Sequence, residues 1–265
     1  MSFLNPPAAK PKLGVDLTPL VALRNLRSIS RTLDVQHFAQ AAEEAGADVI
    51  RLTVESTASK QIRDDIDGAM RTATEVHVAM PLTREMIDFA GMVRPHSVCF
   101  TACDVECNGE HDGERKTALS TKSLQSIMEA LACLQQQSVH VVLSLDPATS
   151  QLQAVADAGI RTIEFNTNTI AQSDPVDLER HHSILRDAVL YARRLGMTVQ
   201  LAHGIDYGNV HRIAASGDID QINVGYAVAA RAIVVGWQSA VREMKALLVT
   251  ASTSSSYRAN EDAGG

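Results

Sequence analysis

The chain has 265 residues, 45% hydrophobic and only 4% aromatic, and a formal net charge of −7. That length buries a large core without staples, and four cysteines outline no disulfide framework. The acidic balance argues against nucleic acid and anionic membrane surfaces, and no run of about eighteen apolar residues exists to span a bilayer. The N-terminal residues lack the apolar stretch of a signal peptide, so the expectation is a cytoplasmic protein in a reducing compartment.

Residues 1–12, with Pro6, Pro7 and Pro11, are expected to form a flexible arm. Beyond them, short β-branched runs alternate with longer segments of helical period. The first strand is predicted over 13–17. Asp34 caps a helix that stops at Ala45 and Gly46 and feeds a strand over 49–54. A strand over 75–80 precedes a helix from Arg84 to Val93, capped by Thr83. After a strand over 97–101, Thr121 or Ser123 opens a helix to Gln137, followed by a strand over 139–145. A strand over 162–166 leads to a helix from Pro175 to Leu195, and a strand over 198–202 to a short helix from Tyr207 to Ala215. The eighth strand spans 221–224, and the last helix runs from Ala227 to Leu248. The segment 250–265 has little to bury and reads as a disordered tail.

Three segments, AGADVI at 45–50, AGIRTI at 158–163 and LGMTVQ at 195–200, each join a helix end to a strand through a glycine. Repetition of that unit favours a parallel sheet. Eight strands in this length favour closure, so the fold class is α/β, a (β/α)8 barrel with a closed parallel sheet, one domain over 13–249. A doubly wound open sheet is the structural alternative. The core is expected to be aliphatic, with branched side chains filling the barrel.

An ordered set of motifs carries a family resemblance: GVDLTPLVALRNLR at 14–27, AGADVI at 45–50, RPHSVC at 94–99, IEFNT at 163–167, AHGIDYGNV at 202–210, INVGYAVAARA at 222–232 and AVREMK at 240–245. Over about 13–248 the chain resembles the pyridoxine 5′-phosphate synthases. The resemblance implies a condensation of deoxyxylulose phosphate with an aminoketone phosphate in vitamin B6 biosynthesis. It also implies no metal or organic cofactor and a homo-oligomer.

Several family side chains are replaced. Asp16, Thr18 and Pro19 stand where the family's first strand carries Asn and then Asp-His. Thr53 stands in place of a catalytic histidine, and Glu55 and a position near Lys60 in place of a phosphate-binding arginine and histidine. Ala79 replaces a catalytic glutamate, and Tyr226, after Gly225, a phosphate-binding histidine. The segment from Ala102 to Asp112 replaces the Thr- and Gly-rich loop that closes over substrate. Arg24, Glu164, His203, Gly204 and Gly225 are retained. Ala79 cannot move a proton, and Thr53 has no suitable pKa to act as a base near neutral pH. Glu55 would repel a phosphate where the family clamps one.

With the family's site setting the inward parity, strand alternation directs Asp16, Thr18, Arg51, Thr53, His77, Ala79, Glu164, Asn166, His203, Asn223 and Gly225 into the barrel. His203 is the expected acid/base. His77 is expected to face the same mouth as a second base, with Glu164 as the other partner. Asp16, Thr18, Arg24, Arg51, Thr53, Asn166, Gly204, Asn223, Gly225 and Tyr226 are the candidate ligand contacts.

Plainer roles stand beside these. His77 alone is slightly better read as structural, and for Glu164 and Asn166 the two roles weigh equally. Arg51 either meets ligand or pairs with Glu164 or Asp16, and Arg24 either binds ligand or pins the first loop. Cys99, Cys103, Cys107 and His111 recur at a spacing of four, which is not a usual zinc pattern, so no metal is expected. His181 and His182 read as solvent-facing, and Trp237 as a packing residue. Three functions remain open: a diverged enzyme acting on a small phosphorylated or carbonyl-bearing molecule, a degenerate paralogue that binds a small ligand or an assembly partner, or the parent condensation itself.

Overall fold

A computed structural model describes residues 10–26, 33–55, 60–101 and 119–261, with side chains as far as residue 251. Eight parallel strands close into one barrel in sequence order. The first half runs β1 (Lys12–Asp16), α1 (Thr18–Asn25), α2 (Val35–Glu44), β2 (Val49–Thr53), α3 (Lys60–Ala69), β3 (Glu75–Pro81), α4 (Arg84–Val93) and β4 (Ser97–Thr101). It continues with α5 (Thr121–Gln135), β5 (His140–Leu145), α6 (Leu152–Asp157), β6 (Thr162–Asn166), α7 (Asn168–Ala171) and α8 (Pro175–Arg194). The last elements are β7 (Thr198–Ala202), α9 (Val210–Ala214), β8 (Gln221–Val224), α10 (Tyr226–Val235) and α11 (Trp237–Glu261).

The local signals act as expected. Asp34 caps α2 by accepting from the Gln36 amide at 3.0 Å, and Thr83 caps α4 by accepting from Met86 at 3.2 Å. Ser120, one residue ahead of the expected start, caps α5. Gly46, Gly159 and Gly196 all have positive φ, as the three helix-to-strand junctions require.

The apolar core is arranged differently from the expectation. Leu13, Val15, Ile50, Leu52, Val76, Val78, Val98, Phe100, Ile163, Phe165, Val199, Leu201, Ile222 and Val224 pack in one continuous cluster with helix residues such as Ala39, Ile127, Leu185 and Val241. These strand residues therefore face outward, between sheet and helices. The opposite parity carries Arg51, His77, Ser97, Ser144, Glu164, Gln200, Gln221 and Asn223, all buried. Ala79, Cys99 and Val142 form a small separate apolar cluster there. The aliphatic side chains thus glue helices to staves, and polar groups fill much of the barrel.

Two helix expectations change. The final segment is not one helix from Ala227 to Leu248: Gly236, at φ 83°, breaks it into α10 and α11. α11 then continues to Glu261, past the point at which a disordered tail was expected. Trp237 packs edge-on against Phe38 at 5.4 Å and donates Nε1–H to the Phe38 carbonyl at 3.1 Å, fastening α11 to α2. His182 is 3% exposed, not solvent-facing, because it lies one turn from Leu185 on the buried stripe of α8.

Gly14 marks where the backbone must come close to the interior. A Cβ on it would lie 1.9 Å from Asn223 Oδ1 and 3.0 Å from Asn223 Cγ. Gly14→Ala is expected to push Asn223 off its place and destabilise the barrel by roughly 1–3 kcal/mol, the usual cost of overpacking. Urea unfolding of the variant checks this, and an unchanged midpoint would contradict it.

Candidate active site

Barrel strands are tilted, so side chains at one height come from alternate strands. Arg51 on β2, Cys99 on β4, Glu164 on β6 and Asn223 on β8 form such a layer and touch one another. Both terminal nitrogens of Arg51 meet the Glu164 carboxylate; the pair Nη2–Oε1 is 3.0 Å. Asn223 Nδ2 donates to Glu164 at 2.9 Å, and the Cys99 thiol donates to it at 3.5 Å. Glu164 has no solvent exposure and Arg51 only 4%.

Charge states follow from this pairing. Burial alone would raise the Glu164 pKa, but the Arg51 charge and its hydrogen bonds reverse that and hold it below the ordinary value. Burial would likewise lower Arg51, but Glu164 overrules it and keeps the guanidinium charged. Burial, reinforced by Glu164, holds the Cys99 thiol protonated. Glu164 is therefore an ionised group occupied on all sides, suited to holding Arg51 and not to exchanging protons with a ligand.

The layer above comes from the odd strands: Asp16, Ala79, Ser144 and Ala202. Register supports the placement, since Asp16 aligns with Arg51, Ala79 with Cys99, Ser144 with Glu164 and Ala202 with Asn223. Three of these four side chains are small. Asp16 Oδ1 accepts from the Thr18 amide at 2.8 Å and from the Thr18 hydroxyl. Thr18 in turn accepts from the Thr53 amide at 2.9 Å, tying β1 to β2 at the rim. Above lie Thr53, Asn166 and Gly225. Asn166 Oδ1 accepts from the Asn168 amide at 2.9 Å and so caps the turn into α7. Gly225 approaches Asp16 closely, since a Cβ there would lie 3.0 Å from Asp16 Cβ, and it opens α10, whose first residue Tyr226 is 74% exposed.

His203 follows the last residue of β7. The expectation that strand alternation directs it inward fails, because Val199 and Leu201 face outward and Gln200 and Ala202 carry the inward parity. Its φ of 70° ends the alternation there. The charges of Glu164, Arg51 and Asp16 all act on its ring, which stands open at the mouth. Partial burial lowers its pKa below 6.5; Glu164 and Asp16 oppose the shift and Arg51 adds to it. The imidazole is therefore neutral near pH 7. Buried Thr167, which the sequence reading gave no role, fixes this turn: its hydroxyl donates to the His203 carbonyl at 2.5 Å. Gly204 at φ 67° packs on α7, where a Cβ would lie 2.5 Å from Ala171 Cβ.

Two expected site residues stand elsewhere. His77 points into the barrel but not into the mouth. Its Nδ1 meets Gln221 Nε2 at 3.3 Å, and its Nε2 lies 3.6 Å from Glu75, which pairs with Lys12 at the N-terminal rim. Alternation gives the face of a strand and not the height along it, and His77 sits below the Arg51 layer. Arg24 is buried between helices and paired with Asp65 through both terminal nitrogens, at 2.7 and 2.5 Å, which is the pinning role. Ser144, Gln200 and Gln221, unremarked in the sequence, share the inward parity that would have found them. Cys103, Cys107, His111 and the loop from Ala102 to Asp112 lie outside the described residues.

A family model described as the pyridoxal phosphate biosynthesis protein PdxJ matches residues 13–250. The chain belongs to the PdxJ family. Membership makes it a pyridoxine 5′-phosphate synthase-like protein of vitamin B6 biosynthesis. Solved structures share the fold at low identity. A mandelate oxidase variant with an FMN monooxide adduct is 19% identical, with a TM-score of 0.59, over 92% of this chain and 73% of that one. A tryptophan synthase from M. tuberculosis is 11% identical, with a TM-score of 0.60, over 90% and 93%. A designed cube-shaped protein cage is 12% identical, with a TM-score of 0.64, over 96% and 78%. Among the described residues no helix is long and apolar enough to cross a membrane.

In this PdxJ-family barrel two variants test the interior. Glu164→Gln leaves Arg51 charged, buried and short of its partner, and is expected to cost about 3–5 kcal/mol in urea unfolding at pH 7. His77 is held neutral, its pKa lowered from 6.5 to about 4 chiefly by burial. The unfolded chain therefore binds the extra proton first, and stability falls as pH drops from 6.5 towards 4, by on the order of 3 kcal/mol in all. His77→Gln is expected to flatten that acid limb, and a limb as steep as in the parent chain would exclude His77 as its source.

Proposed function

We propose that the chain is a diverged PdxJ-family enzyme working at the C-terminal mouth of the barrel on a small phosphorylated or carbonyl-bearing molecule. His203 is its acid/base group. The observation that carries this reading is the His203 ring: neutral near pH 7, open at the mouth, and held above an ionised layer by a strained turn. A neutral imidazole of that kind can accept a proton from a substrate carbon or hydroxyl and return it. The N-terminus of α10, which no side chain caps, follows β8 directly and supports a phosphate position there through free backbone amides.

The parent condensation is expected to be slow. Ala79 is 4% exposed and clustered with Cys99 and Val142, so no proton carrier stands at the position where the family has glutamate. The proposal includes a reducing, cytoplasmic setting, with which the free thiols of Cys99 and Cys133 agree. It also includes assembly of like copies, which the apolar exposure of Ile233 and Val234 on α10, of Leu23 on α1 and of Leu26 just after it, supports.

Turnover of deoxyxylulose phosphate with the aminoketone phosphate is expected to run at least roughly 10²-fold below a family enzyme with its full acid–base set. Complementation of a vitamin B6 auxotroph at normal growth would refute that. For any substrate the chain does turn over, His203→Ala is expected to lower kcat by roughly 10²–10⁴ with the fold intact by circular dichroism. Unchanged kcat would remove His203 from the mechanism.

A further inference from the structure

His203 holds a backbone shape that residues with a side chain seldom take. Its φ is 70°, and Gly204 follows at φ 67°. The left-handed region crowds a Cβ against the neighbouring carbonyl and is uncommon for a residue that carries one. Among the described residues Arg94 and Ser138 also have positive φ, but both stand just beyond helices, after α4 and α5, where such a residue commonly closes the last turn. His203 follows a strand, so no helix end accounts for it. A backbone outlier of this kind persists only where its surroundings hold it.

Two side chains hold it, one on each carbonyl of the pair. Thr167, just after β6, has no solvent exposure, and its hydroxyl donates to the His203 carbonyl at 2.5 Å. The Thr167 amide donates to the Ala202 carbonyl at 2.9 Å, so that hydroxyl starts from a fixed backbone. Asn209 Nδ2 donates to the Gly204 carbonyl at 2.7 Å. The other end of the same amide, Oδ1, accepts from the Asp206 amide at 2.8 Å. Asp206 Oδ1 in turn accepts from the amides of Gly208 and Asn209, each at 2.8 Å. Both ends of the Asn209 side chain are thereby used, which sets Nδ2 towards Gly204. α7 closes the remaining side, since a Cβ on Gly204 would lie 3.1 Å from Asn168 Cα. With an ordinary negative φ, His203 would continue the alternation of β7 and turn outward with Leu201.

We infer that Thr167 and Asn209 are positioning residues: they hold the carbonyls of His203 and Gly204 so that the imidazole stands over the mouth. Thr167, without exposure, and Asn209, with both amide ends used, act through the backbone and not on a ligand. This rests on the proposed acid/base role of His203 and deepens it by naming what sets the ring in place.

The experiment is an NMR titration of the histidine imidazoles in the full-length protein, with the His203 signal assigned by its loss in His203→Gln. In the parent chain partial burial keeps the His203 midpoint below 6.5. Thr167→Val keeps the shape of the side chain and removes the donor. Its His203 midpoint is expected to rise towards 6.5, by roughly 0.3 of a pH unit or more, as the ring leaves its partly buried place. Asn209→Ala is expected to move it in the same direction, and Thr167→Ser, which keeps the hydroxyl, to titrate like the parent. A merely structural role would lower the urea midpoint and leave the imidazole titration where it was. An unchanged His203 midpoint in either folded variant therefore overturns the inference for that residue, and a Thr167→Ser that titrates like Thr167→Val overturns the part given to the hydroxyl. Should Thr167→Val fail to fold, Asn209→Ala, at the half-buried rim, decides whether the turn needs its side-chain donors. Failure of the acid/base reading shows separately, as an unchanged kcat in His203→Ala, and leaves these midpoints as they are.

Discussion

A guanidinium and a carboxylate, Arg51 and Glu164, meet in the middle of a barrel that gives neither of them water. Each ion alone would be strongly destabilising at that depth, and their attraction offsets desolvation only because the remaining valences are met. Asn223 and Cys99 supply two further donors to Glu164. Four strands on alternate sides of the barrel are thereby held to one height. The net gain over a hydrocarbon layer is small or negative by the usual energetics, whereas removing one partner would be costly. The pair thus fixes a geometry more than it adds stability.

That geometry divides the interior. Below the pair, His77, Gln221, Glu75 and Lys12 run as a hydrogen-bonded and charge-paired line to the N-terminal rim. They are far better placed to satisfy one another than to reach a ligand. Above it lie three small side chains and Asp16, towards the end of the barrel where barrel enzymes keep their active sites. His203 stands over this floor and feels its charges. The ionised layer acts on the imidazole through the charges of Glu164, Arg51 and Asp16.

A further carboxylate at residue 79 would add negative charge to Asp16 and Glu164, which already share Arg51. An alanine there adds no charge and packs with Cys99 and Val142. The apolar residues meanwhile lie outside the sheet, where they bind eight staves to their helices. The cost of a polar interior is borne by that outer layer, which is continuous around the whole barrel.

Local sequence determined a great deal. The β-branched runs, the glycine junctions at Gly46, Gly159 and Gly196, and the caps at Asp34 and Thr83 place all eight strands and most helices, because each signal acts within a few residues. The motif around His203 marked the mouth, and alternation assigned Arg51, Glu164 and Asn223 to the interior. It could not say that Arg51 would meet Glu164, 113 residues away, or that His77 would lie a layer too low. Alternation was carried on to His203, where a positive φ ends it, the stretch across Gly236 read as one helix, and Arg24 stood between pinning the first loop and meeting ligand, which its pairing with Asp65 decides. Period and propensity fix which face a side chain takes; the height it occupies depends on strand tilt and register, and its partner on closure of the ring, and both exist only in the folded barrel.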